Sequence, residues 1–74
     1  SALNLCRVLA FARDGLCLSK ADGGRWALER LPEEWHPLVS EALVCYTSSQ
    51  TMRTSAETLV RFAGTLLHLI REAA

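Results

Sequence analysis

Apolar residues recur every three to four positions along most of the chain, which is the spacing of amphipathic α-helices. The first stripe predicts a helix from Ala2 to about Asp14, and Gly15 supplies the left-handed residue at which helices often end. We expect its inward face to comprise Leu5, Val8, Leu9 and Ala12. No segment alternates as a strand does, so the pattern predicts an all-α protein, a small bundle of four to five helices.

The second helix has the clearest boundaries, since we expect it to begin near Lys20 and to be closed by Pro32. Ser19 can cap the first turn, and Asp22 three residues later resembles a capping box. The pair Gly23–Gly24 weakens this helix by about 1 to 2 kcal/mol relative to alanines. Either another element packs against that bare backbone, or the segment becomes firm only with a ligand or partner.

Two further helices are predicted after Pro32, which itself fits the start of a short turn. Apolar positions from Pro37 to Tyr46 outline the third helix, and Tyr46 lies at the end of its inward face. Thr54 with Glu57 forms a capping box for the fourth helix. The wide apolar stripe of that helix comprises Leu59, Phe62, Ala63, Leu66, Leu69 and Ile70.

Two cations, Lys20 and Arg7, are the first candidates for chemistry. A cation in the first helical turn faces the positive end of the helix dipole, which costs a few tenths of a kcal/mol up to about 1 kcal/mol. Lys20 at a capped helix start therefore suits an anion such as a phosphate. Arg7 is either a solvated charge or a partner for Asp14, or it is a guanidinium held by apolar neighbours and aimed at an anion.

The composition limits the classes of function. Eight basic residues balance eight acidic ones, so no overall field attracts nucleic acid or an anionic membrane surface. The longest uncharged runs, Ala42–Met52 and Phe62–Ile70, are too short or too polar to cross a membrane. Cys6, Cys17 and Cys45 lack the spacing of a zinc site or a disulfide framework, so we interpret them as reduced core residues of a cytoplasmic protein.

No motif of a complete enzyme is present. The sequence lacks a phosphate-binding glycine loop, a dinucleotide fingerprint, a His-Glu-x-x-His motif, a nucleophile elbow and an Asp-x-Asp pair that could hold magnesium. We therefore assign no catalytic residue and no metal ligand, and we expect the chain alone to be inactive. The potential contacts for an anion or nucleotide are Arg7, Lys20 and Tyr46.

These three residues, together with the run Trp26–Pro32 and with Pro37, resemble the C-terminal helical domain of the aminoglycoside nucleotidyltransferases that adenylylate streptomycin and spectinomycin. The resemblance covers nearly the whole chain and is thin after Tyr46. It implies that residues 1–74 are one helical domain, a C-terminal fragment of a two-domain enzyme. In that family an N-terminal nucleotidyltransferase domain carries the metal-binding carboxylates and the catalytic base. Trp35 replaces what is often a tyrosine and looks like a core substitution.

The resemblance also implies an ATP site and a role in antibiotic resistance. Arg7 and Lys20 are expected to contact the ATP phosphates, and Tyr46 to lie against the nucleotide. ATP, Mg²⁺ and the aminoglycoside are expected only in the full-length enzyme, in the cleft between the two domains. The alternative is a free-standing interaction module without enzymatic activity, whose apolar surface binds a partner protein or forms a homodimer.

Overall fold

A computed structural model describes all residues, 1–74, and contains four α-helices and one 3₁₀ turn. The elements are α1 (Ala2–Asp14), α2 (Lys20–Arg30), the 3₁₀ turn (Glu33–Trp35), α3 (His36–Ser48) and α4 (Ala56–Ala73). The prediction of an all-α bundle is confirmed, and the short turn after Pro32 is present.

Local side-chain chemistry explains the first two helices. At Gly15 the chain turns left-handed, with φ 68° and ψ 20°, and this ends α1 as predicted. Ser19 Oγ accepts a hydrogen bond from the Asp22 amide at 3.1 Å, so α2 begins at Lys20 as predicted. Leu31 is extended, as a residue before a proline prefers, and α2 ends there.

The start of α4 differs from the prediction by one residue. Ser55 caps this helix in place of Thr54, and its Oγ accepts from the Thr58 amide at 3.2 Å. Thr54 instead donates to the Glu41 carboxylate of α3, through its hydroxyl at 2.6 Å and its amide at 3.0 Å. The Arg53 amide donates to the other carboxylate oxygen at 3.0 Å. These hydrogen bonds, led by that of the Thr54 hydroxyl, lower the pKa of Glu41 and tie the α3–α4 connector to α3.

The core lies where α1 meets the other helices. Its two tryptophans, Trp26 and Trp35, are almost fully buried, as expected of a core substitution at Trp35. The rings of Trp35 and Phe62 pack edge to face with centroids 5.3 Å apart, which joins the 3₁₀ turn to α4. The remaining buried residues of this cluster are Cys6, Leu9, Ala10, Ala27, Leu31, Leu38, Val39 and Leu66.

Three expectations about burial are wrong. Tyr46 is 56% exposed and not part of the inward face of α3, which is formed by Leu38, Val39 and Ala42. Val8 is 48% exposed, because the inward face of α1 is centred on Cys6 and Leu9 rather than on the predicted stripe. Cys17 is exposed and Cys45 half-buried, so only Cys6 is a core cysteine. Burial raises the pKa of the Cys6 thiol to about 11, because a thiolate is poorly solvated in an apolar core.

The paired glycines of α2 lie where α1 and α3 approach its backbone. A Cβ atom on Gly23 would lie 2.7 Å from Arg7 Cγ, and one on Gly24 would lie 2.7 Å from Leu43 Cδ2 and 3.0 Å from Leu3 Cδ2. Of the two alternatives from the sequence, the first is therefore confirmed: other elements pack against the bare backbone of this pair.

Candidate functional site

Lys20 and Tyr46 meet where α2 begins and α3 ends. Lys20 Nζ lies 5.7 Å from the centroid of the Tyr46 ring, within the range of a cation–π contact. The ammonium is thus held over an aromatic face, which attracts the charge without neutralising it. Tyr46 is 56% exposed and Lys20 is half-buried, so neither residue is enclosed in the core. They line a surface hollow of about 220 Å³ together with Ser1, Ala2, Leu3, Ala42, Cys45 and Met52.

Arg7 projects from α1 towards the connector between α1 and α2. Its Nε donates to the Leu18 carbonyl at 2.8 Å, and its Nη1 donates to Asn4 Oδ1 at 3.2 Å. Both acceptors are neutral, so the guanidinium is oriented while its charge stays uncompensated. Asn4 was not among the predicted site residues. Its i, i+3 spacing from Arg7 on a helix is the signal that could have identified it.

Asp14, the carboxylate considered as a partner for Arg7, binds α2 instead. Asp14 Oδ2 accepts from the Trp26 indole N–H at 3.0 Å and lies 3.7 Å from Arg30 Nε. The Arg30 guanidinium in turn lies over the Trp26 ring, 5.0 Å from its centroid. Pairing of Arg7 with Asp14 is therefore wrong: the two residues are about 10 Å apart along the α1 axis, and the buried indole needs an acceptor.

Arg7 lines a groove distinct from the Lys20–Tyr46 hollow. The groove has a volume of about 380 Å³, and its other lining residues are Asn4, Val8, Phe11, Leu16, Cys17 and Leu18. Leu18 connects the two sites, because its carbonyl binds Arg7 and it precedes Lys20 by two residues. The structure thus brings Lys20 and Tyr46 into contact and links Arg7 to them through the backbone.

Neither cation of the site has a carboxylate partner. The ion pairs between basic and acidic side chains are formed elsewhere: Arg25–Asp22 at 2.8 Å, Arg30–Asp14 at 3.7 Å, Arg61–Glu34 at 3.5 Å and His68–Glu72 at 3.5 Å. Arg7 and Lys20 thus belong to the basic residues that form no ion pair, with Arg13, Arg53 and Arg71.

Comparison with known protein families identifies the family of this chain. The family model described as the C-terminal domain of aminoglycoside adenylyltransferase matches residues 1–68. The chain belongs to this family. Membership in the aminoglycoside adenylyltransferase C-terminal domain family confirms the resemblance drawn from the sequence. No curated protein and no solved structure matches the chain.

Two further observations describe this adenylyltransferase domain. None of its helices combines the length and the apolar character that a membrane span requires. Its His, Cys, Asp and Glu side chains nowhere gather in a group of three that could hold a metal ion.

Proposed function

We propose that this domain is the non-catalytic helical half of an aminoglycoside adenylyltransferase and that Arg7, Lys20 and Tyr46 contribute ATP contacts to an active site between two domains. Its partner is then an N-terminal nucleotidyltransferase domain, in keeping with its family as a C-terminal domain. The observation that carries the ATP role is the Lys20–Tyr46 contact, an accessible ammonium held over a tyrosine ring in the first turn of a helix.

The proposed role is charge neutralisation and positioning. In adenylyl transfer a hydroxyl oxygen of the drug attacks the α-phosphorus of ATP, and the bond to the pyrophosphate oxygen breaks. Negative charge grows on the leaving pyrophosphate, so fixed cations beside the triphosphate lower the barrier. Lys20 and Arg7 supply that charge, and the Tyr46 ring packs against the nucleotide. Mg²⁺ and the proton transfers belong to the other domain.

The position of Arg7 supports its assignment to the same triphosphate. Arg7 binds the carbonyl of Leu18, and Leu18 precedes Lys20 by two residues. The α-carbons of Leu18 and Lys20 are therefore at most about 7 Å apart. Both cations are therefore anchored at the same end of α2. That end also presents the positive pole of the helix dipole, which favours an anion.

The apolar groove beside Arg7 supplies a surface for the N-terminal domain. Val8, Phe11 and Leu16 are 48%, 60% and 39% exposed, and covering them on association removes apolar surface from water. We assign this protein to the cytoplasm, and its substrates to aminoglycosides such as streptomycin and spectinomycin. The alternative of a free-standing interaction module or homodimer would use the same kind of exposed apolar surface and is not better supported.

The test is adenylyl transfer by the complete gene product, measured as pyrophosphate release from ATP with streptomycin or spectinomycin. Lys20→Ala is expected to raise the KM for ATP and to lower kcat/KM at least about tenfold, since a charge-assisted contact to phosphate is lost. The control is Arg71→Ala, which removes an exposed cation from the last turn of α4. Unchanged turnover of the Lys20 variant refutes the ATP role, and a complete protein that adenylylates no aminoglycoside refutes the enzyme assignment.

A further inference from the structure

We propose that Gly23 is a positioning residue for Arg7. The missing side chain at this position lets Arg7 pass along the backbone of α2 and reach the Leu18 carbonyl. The guanidinium is thereby fixed beside the first turn of α2, where Lys20 begins the helix. This inference rests on the proposed function, since it concerns how one ATP contact is presented.

The contact between α1 and α2 leaves no room for a side chain on Gly23. A Cβ atom there would lie 2.7 Å from Arg7 Cγ, 3.3 Å from its amide nitrogen and 3.4 Å from its Cα. Non-bonded carbon atoms prefer about 3.5 to 4.0 Å, so Arg7 must move if position 23 carries a methyl group. The atom in conflict is Cγ, near the base of the side chain, so the whole guanidinium moves with it.

That movement costs Arg7 its present orientation. The guanidinium is held by two hydrogen bonds, from Nε to the Leu18 carbonyl at 2.8 Å and from Nη1 to Asn4 Oδ1 at 3.2 Å. Of the five N–H donors of an arginine, two are used here and three remain for an anion. Because these hydrogen bonds already orient the Arg7 guanidinium, it can bind a phosphate through two N–H groups with little further loss of side-chain entropy.

Gly24 offers a matched comparison at the next position of the same helix. It is also buried and closely packed, but a Cβ atom there meets Leu43 and Leu3 rather than Arg7. Gly24→Ala therefore restricts the backbone as Gly23→Ala does and creates a similar steric conflict, but the new methyl group does not contact Arg7. Only the effect of alanine at Gly23 should depend on Arg7.

The experiment measures kcat, the KM for ATP and the thermal midpoint of the full-length enzyme and its variants. Arg7→Ala is expected to raise the KM for ATP about tenfold or more, and Gly23→Ala about threefold to tenfold. In the Arg7→Ala background, Gly23→Ala should cause no further rise in KM, because the guanidinium that it would displace is already absent. The remaining close contacts of the new Cβ atom, with the amide nitrogen and Cα of residue 7, should appear in the thermal midpoint. Any effect of Gly24→Ala should persist unchanged in that background.

Asn4→Ala is a second variant, at an exposed position where folding is not disturbed. It removes one of the two acceptors that orient Arg7, and it is expected to raise the KM for ATP about twofold to fivefold only when Arg7 is present. If Arg7→Ala leaves the KM unchanged, the proposed ATP role of Arg7 fails. If Arg7→Ala raises the KM but the effects of Gly23→Ala and Asn4→Ala add to it independently, the ATP role stands and the positioning role of Gly23 is overturned.

Discussion

The same substitution, glycine to alanine, should have opposite effects at two helical positions of this domain. Gly24 in α2 is buried, and a Cβ atom there would lie 2.7 Å from Leu43 Cδ2, 2.9 Å from Leu43 Cγ and 3.0 Å from Leu3 Cδ2. Gly64 in α4 is exposed, and no atom lies within 4 Å of its Cβ position. The two variants therefore separate the helix propensity of alanine from the steric cost of close helix packing.

The magnitudes follow from these distances. Alanine in a helix interior is favoured over glycine by about 0.5 to 1 kcal/mol, and Gly64→Ala should gain about that amount. At Gly24 the leucine carbons must retreat by about 0.5 to 0.8 Å to reach ordinary contact, and overpacking of this kind costs about 1 to 3 kcal/mol. When the higher helix propensity of alanine is included, Gly24→Ala should therefore lower the free energy of unfolding by about 1 to 2 kcal/mol. This change lowers Tm by about 4 to 16 °C in a domain of this size.

Urea unfolding of the 74-residue domain, followed by the fluorescence of its buried tryptophans, measures both effects. The double variant Gly24→Ala with Leu43→Ala provides the mechanistic control. Leu43→Ala removes Cγ and Cδ2, so the cost of alanine at Gly24 should fall by about 1 kcal/mol or more in that background. A Gly24→Ala domain as stable as the Gly64→Ala domain would refute the close approach of α3 to α2.

Three further predictions concern stability and reactivity. The pKa of Glu41 in the folded protein lies below its ordinary value of 4.5. The hydrogen bonds of its carboxylate therefore stabilise the fold when the pH is above 4.5, and this stabilisation is lost as the pH falls below 4.5 through the folded-state pKa. Glu41→Gln should therefore be less stable at pH 7 and show a smaller loss of Tm on acidification. A thiol reagent should modify exposed Cys17 first and buried Cys6 only on unfolding, as peptide mass spectrometry would detect. Gly15→Ala should lower Tm by about 4 to 8 °C, because the φ of 68° at this position is about 1 kcal/mol less favourable for a residue with a Cβ atom than for glycine.

Helix boundaries were predictable where a local signal determines them. The hydroxyl of Ser19, the left-handed Gly15 and the proline after Leu31 each act on groups within a few residues, so their effect is visible in the sequence. The start of α4 was missed by one residue for the opposite reason. Thr54 and Ser55 are both good caps, and the choice is made by Glu41, which lies 13 residues before Thr54 and takes its amide and hydroxyl.

The sequence proposes Arg7, Lys20 and Tyr46 as candidates, but it does not predict the contacts that these residues make. The dipole argument singles out Lys20 from its position alone, but its neighbour Tyr46 is 26 residues further along the chain, and only the packing of α2 on α3 brings the two together. The partner of Arg7 was missed because the connector between α1 and α2 has no periodicity. A backbone carbonyl such as that of Leu18 also carries no signature in the sequence.

Because α4 packs mainly on one other helix, its backbone amides should be less protected from hydrogen exchange than those of the other helices. This helix packs chiefly on α1 and contributes Phe62 and Leu66 to the core, and its Arg61 lies over the Trp35 ring at 4.7 Å. The Lys20–Tyr46 contact belongs to α2 and α3. Detachment of α4 as a cooperative unit therefore leaves that contact standing, so native-state hydrogen exchange should report a lower opening free energy for the amides of α4 than for those at the centre of α1.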